Sequence, residues 1–251
     1  LGAAAFDKLL TGEPELEKTT FAGQISWYIA GWDLFAGYSY RKDDRSVGGA
    51  GFNWVAGDFL FTAEGAWDFT GEQYTWNAAL LPASPFKVSD AALPLRASAG
   101  IEYLGFFSDT TGSVSVEYLF RGDGMTGAEA EKLYSDVLSL QNTPGFTDGA
   151  LSSISTGSGQ MDYLTGRHYI TGLISAEKSD AYSASLYTMI NVTDPSTVVG
   201  AELSLFPDQN SEIKTAVSFI PGKGKDGEFP VFRNLTGTSE LSVTVKGIIY
   251  F

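Results

Sequence analysis

The feature that most constrains this chain is an apolar–polar alternation with a period of two, renewed in blocks of about ten residues. The block SVTVKGIIYF shows it plainly. Phe251, Ile249, Gly247, Val245, Val243 and Leu241 fall on one face, and Tyr250, Ile248, Lys246, Thr244 and Ser242 fall on the other. Alternation of this kind is the geometry of a β-strand, whose successive side chains point to opposite sides. A strand whose apolar face meets lipid, with an aromatic ring fixing its end at the bilayer interface, would read this way.

The same pattern recurs along the chain. Phe21 to Ile29 aligns Phe21, Gly23, Ile25, Trp27 and Ile29, and Asp33 to Arg41 aligns Leu34, Ala36, Tyr38 and Tyr40. Val47 to Ala56 groups Ala50, Phe52 and Trp54. Phe59 to Phe69 sets Phe59, Phe61, Ala63, Trp67 and Phe69 against Thr62, Glu64 and Asp68. Leu95 to Tyr103, Ser113 to Arg121, Val198 to Phe206 and Ser211 to Phe219 alternate as clearly. Arg167 to Glu177 and Tyr182 to Asn191 do so less sharply. With the last block this makes about eleven strands.

Composition narrows the class. The chain is 43% hydrophobic with a mean hydropathy of -0.01, so apolar residues are interspersed rather than blocked. No run approaches the roughly 18 apolar residues of a membrane helix. The 29 Gly, 12 Tyr, 17 Phe and 5 Trp suit strands, tight turns and interfacial aromatics. With no cysteine and one histidine, thiolate and multi-histidine metal centres are excluded, and no cofactor is expected. A net charge of -14 argues against a nucleic-acid partner, which needs a basic face.

The connections also alternate. AGWD, AGD, FFSDTTG, KSDA and PDQN are short, whereas Gly71 to Pro94, Gly122 to Gly166 and Pro221 to Ser239 are long, with KDDRS and TDPS as short exceptions. Short turns on one side and longer loops on the other are the sidedness of a membrane barrel, with turns periplasmic and loops outside. Within the 122–166 loop, Thr126 and Glu129 stand at capping-box spacing, and Ala130, Leu133, Tyr134, Val137 and Leu138 form an apolar stripe. This predicts a helix that narrows the barrel mouth or covers its rim. Traced backward from a periplasmic Phe251, the strand at Phe21 starts outside, and Leu1 to Thr20 is extracellular. About eleven strands and an external start break the even-strand rule. Either AAAFDKLL hides a strand, or upstream strands or a further chain must close the sheet, since an open edge in lipid leaves backbone groups unpaired.

RHYITG, NVTDPS, GAELSLFPDQNSEIKTAVSF and VKGIIYF resemble the C-terminal part of bacterial outer-membrane β-barrel proteins, a loosely defined porin-like group. The resemblance implies an all-β, antiparallel transmembrane β-barrel of roughly 12 to 16 strands spanning residues 1–251 as one domain. It implies a Gram-negative outer membrane, lipid as partner, and a terminal signal of Phe251, Ile249, Val245 and Val243 read by the barrel-assembly machinery. It brings no catalytic motif.

The residues opposite the apolar faces are the lumen-lining candidates: Arg41, Glu64, Asp68, Arg96, Glu102, Glu117, Arg121, Glu202, Glu212, Lys214 and Lys246. They read either as a pore lining that biases which solutes pass, or as a cross-strand network that fills the lumen. His168 would suit an outer-membrane hydrolase only with a Ser and an acid beside it, and no G-x-S-x-G occurs. Asp43–Asp44 and Asp226–Glu228 carry oxygen ligands without EF-hand spacing and read as solvated turns. Asn191 and Asn234 match glycosylation acceptors by chance. The expectation is a porin-like channel for small polar solutes, or else a plugged barrel that anchors a membrane complex; an enzyme is not expected. A soluble β-sandwich would instead have to bury Trp27, Trp54, Tyr38 and Phe251.

Overall fold

The alternating blocks form one antiparallel sheet. The structure is a computed structural model that describes residues 20–41, 46–69, 72–76, 86–90, 95–107, 109–141, 166–179, 181–194, 196–208, 210–222, 227–230 and 240–249. The strands are β1 (Thr20–Ile29), β2 (Trp32–Arg41), β3 (Ser46–Ala56), β4 (Phe59–Asp68), β5 (Glu72–Trp76), β6 (Phe86–Asp90), β7 (Leu95–Phe107), β8 (Thr110–Arg121), β9 (His168–Lys178), β10 (Tyr182–Asn191), β11 (Ser196–Asp208), β12 (Ser211–Phe219) and β13 (Leu241–Ile249), with helix α1 (Gly127–Gln141) between β8 and β9. Eleven of them pair in the order β1-β2-β3-β4-β7-β8-β9-β10-β11-β12-β13. Among the described residues β5 and β6 pair only with each other, a hairpin within the long connection from Gly71 to Pro94 that the sequence pattern does not show.

The short connections lie together at one end of this sheet. Ala30 and Gly31, at φ 51 and 86, make the two-residue turn between β1 and β2. Positive φ at both central residues gives the turn the twist that its flanking strands need. FFSDTTG is shorter as a turn than its composition suggests, because β7 runs on to Phe107 and β8 starts at Thr110.

Register fixes the faces. One row of paired residues runs Ile29, Trp32, Trp54, Phe61, Ile101, Val116, Gly172, Thr188, Val199, Phe219, Leu241. It leaves β1 at its turn end and reaches β13 at its loop end, so the strands are steeply staggered. Climbing the ten-residue length of β1 over ten strand steps corresponds to a tilt of roughly 30–35° at ordinary strand spacings. This is close to the inclination of strands in closed barrels.

The side of the sheet carrying that row is apolar and bare. Ile25 is 57% exposed, Val116 50% and Val245 67%, the reverse of a soluble fold, where such residues are covered. Aromatic rings gather toward both ends of this face. At the turn end Trp32 stacks on Trp54 with centroids 5.1 Å apart and planes 7° apart, and Trp54 continues to Phe61. At the loop end Tyr38 meets Phe69, and Tyr118 and Phe120 meet His168. The sheet is a single layer: Trp27 and Tyr38, which a sandwich would bury, are 48% and 50% exposed.

The opposite face is concave. A cavity of about 710 Å³ opens on it, lined by residues of β1, β2, β3, β4, β7 and β8, among them Gln24, Ser39, Glu64, Arg96, Ser98 and Leu119. Among the described residues β1 pairs only with β2 and β13 only with β12, so both are edges.

Helix α1 begins where the capping box places it. The Thr126 backbone N–H donates to Glu129 Oε2 at 2.8 Å, and the N–H of Ala130 donates to the Thr126 carbonyl at 2.9 Å. Glu129→Ala removes this carboxylate and is expected to cost about 0.5–1 kcal/mol. The check is faster amide exchange confined to the first turn of α1.

Candidate functional site at the mouth

A single-layer sheet has no core beneath it, and the buried apolar residues are elsewhere. Met125, Ala130, Leu133, Tyr134, Val137, Tyr169 and Phe229 are the buried hydrophobic residues of the described chain, and they lie in the loop-end segments or beside them. Four of the five stripe residues read from the sequence are among them. At the same end the concave face is covered: Arg121, Tyr169, Asn191 and Ser196, at inward register positions on β8 to β11, are 3%, 0%, 0% and 4% exposed. Farther along the same face Glu117 is exposed. A cap made of α1 and the helical turn at 228–230 therefore sits on the loop end of the concave wall.

Polar groups hold this cap. Glu228, fully buried, accepts the Tyr169 hydroxyl at 2.8 Å and 3.0 Å, Asn191 Nδ2 at 2.8 Å and the Gly166 N–H at 3.3 Å. Its own N–H donates to Asp194 Oδ2 at 2.8 Å, the oxygen that also accepts the Tyr134 hydroxyl from α1. Asp194 Oδ1 accepts the Ser196 hydroxyl at 2.6 Å. Arg167 donates to the Gly124 carbonyl at 3.1 Å. Among the described residues every buried side-chain polar atom has a partner, as such sites require.

Two close approaches explain glycines here. A Cβ on Gly124 would lie 2.2 Å from the Gly166 carbonyl oxygen, and one on Gly166 would lie 2.4 Å from Asn191 Nδ2. A side chain at Gly124 would push the two loop segments apart, and one at Gly166 would displace the Asn191 side chain from its place.

Beside this cluster lies an ion triad. Asp123, with its side chain 4% exposed, meets Arg121 at 3.0 Å and Arg96 at 2.7 Å. Arg96 and Arg121 are direct cross-strand partners; like charges in that position repel, and the carboxylate between them removes the conflict. Burial pushes the Asp123 pKa up, but hydrogen bonds and charge from Arg121 and Arg96 outweigh it and hold the carboxyl below its ordinary range.

Register places all eleven sequence candidates on the concave face, Arg41 by backbone position alone. The geometry separates them into kinds. Arg96 and Arg121 are bound up with Asp123, and Glu202 pairs with Lys214 at 2.9 Å. Glu64, Glu102 and Glu117 have no ion-pair partner among the described residues. Lys246 stands directly across from Lys214. The face is not uniformly polar: Phe35 lies over Gly51, and Leu119 and Leu173 point inward by register.

Other sequence candidates fall outside this cluster. His168 is on the apolar face, its Nδ1 sharing a 2.6 Å hydrogen bond with the Tyr118 hydroxyl, and the structure gives it an aromatic setting rather than a Ser and an acid. Glu228 is a buried acceptor rather than a solvated turn residue, and Asn191 is too buried to be a glycan acceptor. Among the described residues no group of acids and histidine could hold a metal ion. Val243 and Val245 lie exposed on the apolar face. Phe251, Asp43–Asp44, Asp226, Asn234, residues 1–19 and the Ile249 side chain lie outside the described residues. Asp123, Asp194 and Tyr169 escaped the sequence reading; the only local hint was an acid in the Gly-Asp-Gly turn that follows Arg121.

No protein-family model matches the chain, and no curated protein matches it. Among solved structures it is similar to a triple mutant of Rh. blastica porin, at 10% identity and a TM-score of 0.49 over 92% of this chain. A double mutant of the same porin gives 11% identity and the same TM-score. The chain spans 55% of the length of these porins.

Proposed function

We propose that this chain forms the greater part of the wall of an outer-membrane β-barrel, a porin-like channel through which small polar solutes diffuse. The observation that carries this reading is the separation of the two faces. A bare apolar face with aromatic rings toward both ends suits lipid and its interfaces, and a concave face with charged residues suits water. Long loops would be extracellular and Phe251 periplasmic, with β13 presented to the assembly machinery through Val243, Val245, Ile249 and Phe251. Helix α1, in the loop that follows β8, narrows the mouth.

Closure follows from strand direction. With eleven strands in the sheet among the described residues, β1 and β13 run the same way. An all-antiparallel barrel therefore needs an odd number of further strands between them, from more of this polypeptide or from another chain.

The test is conductance across planar bilayers of the protein extracted in its native form. Stepwise ohmic openings are expected, with cation preference reduced by Glu64→Gln, because that carboxylate is uncompensated among the described residues. Neutralising Arg96 should shift selectivity less, since Asp123 already offsets half of the charge of the Arg96–Arg121 pair. Silence from folded, inserted protein would defeat the channel reading. It would favour a plugged barrel that anchors a complex, a reading to which the buried core at the mouth lends support.

A further inference from the structure

We propose that Glu228 is the positioning residue that sets the size limit of the mouth, acting on α1 from a different loop; this rests on the channel reading above. Glu228 belongs to the connection between β12 and β13, far in sequence from the helix that narrows the opening. It nevertheless links three things. Its carboxylate is fixed to the wall by Tyr169 of β9 and Asn191 of β10. The N–H of Gly166, where the helix-bearing loop returns to the sheet, donates to the Tyr169 hydroxyl at 2.6 Å and reaches the Glu228 carboxylate at 3.3 Å. The backbone N–H of Glu228 orients Asp194, which takes the hydroxyl of Tyr134 from the middle of α1.

The chemistry explains why a carboxylate is placed there. On the open wall of a wet lumen it would be solvated at no cost, as Glu64 and Glu117 are. Here it is buried, which is costly unless every lone pair is engaged. Apolar contacts alone, such as Phe229 against Tyr169 with centroids 6.4 Å apart, permit small slides of a helix over a wall. Directional hydrogen bonds to two strands and a loop terminus do not. Gly227, at φ +117, lets the chain reach this point: a Cβ there would lie 2.8 Å from the Ser196 side chain.

The experiment uses the full chain, folded from its own membrane, with conductance in planar bilayers and liposome swelling in sugars of graded size. Glu228→Leu is expected to raise conductance on the order of twofold and to admit larger sugars. Tyr134→Phe, which removes only the hydroxyl on Asp194, should produce a smaller rise in both. Far-UV β signal and heat-modifiable gel mobility establish that each variant is folded. Should Glu228→Leu fail to fold, Tyr134→Phe decides alone. Folded variants with wild-type conductance and size limit would overturn the proposal, as would silence of wild type and variants alike. A silent wild type opened by either variant would support Glu228 as the latch while defeating the reading of an open channel.

Discussion

Asp123→Ala is expected to destabilise the folded chain by about 3–5 kcal/mol, because it removes one partner from a buried charge network. Arg121 is as buried as the aspartate it meets, with side chains 3% and 4% exposed, so loss of the carboxylate strands a guanidinium beside another. Arg96 contributes less to that cost. Its side chain is 36% exposed, and water screens its part of the triad. Equilibrium unfolding in detergent or bilayers reads the difference; a loss under 1 kcal/mol would show that the triad carries little. The same residue gives a pH signature. Its folded-state pKa is lowered from the ordinary value of 3.8, so its contribution is complete above that value and is lost as pH falls below it. The stability gap between wild type and Asp123→Ala should therefore be flat from pH 7 to about 4 and shrink at lower pH.

The contrast between this triad and the rest of the wall shows what a sequence of this type discloses. Strand faces were legible because period-two alternation is local: Trp54 and Phe61 can be placed on one side without knowing that they pair. Helix α1 was legible for the same reason, since Thr126 and Glu129 are three residues apart and Leu133 and Val137 four. The cluster around Glu228 was not. Tyr169, Asn191, Asp194 and Glu228 come from separate connections and strands, and nothing in any one of them marks the meeting. Taken locally, Glu228 beside Asp226 is an acidic turn. Only the register that brings β9, β10 and β11 side by side turns it into a buried acceptor. The β5–β6 hairpin was hidden by its length, because five-residue strands such as EQYTW and FKVSD barely establish a period.

The charges divide in the same way. Alternation assigned Glu64, Arg96 and Lys214 to one face but could not say which were compensated. That depended on Asp123, a turn residue outside any alternating block, and on the diagonal from Glu202 to Lys214. A wall that looks evenly mixed in sequence is therefore uneven in space. Near its loop end Arg96 and Arg121 share a buried carboxylate, while Glu64 and Glu117 stand exposed elsewhere on the same face. This is the reason to expect Glu64 rather than Arg96 to govern ion preference.

Val116→Arg and Ser115→Arg should separate the two faces most sharply, since the positions are adjacent in β8 and differ only in direction. Val116 is 50% exposed on the apolar face, near the middle of β8 and between Ile101 and Gly172 of the neighbouring strands. In lipid, an arginine there is expected to cost about 2–4 kcal/mol, the depth-dependent penalty for a cation near the bilayer centre. Ser115 faces the concave side between Glu102 and Leu173, where a guanidinium can stay hydrated beside a carboxylate. Its replacement should leave stability nearly unchanged and shift ion preference away from cations. Unfolding in bilayers of defined thickness measures the first effect and reversal potentials measure the second. If the two substitutions cost the same, the apolar face does not meet lipid, and the barrel reading fails with it.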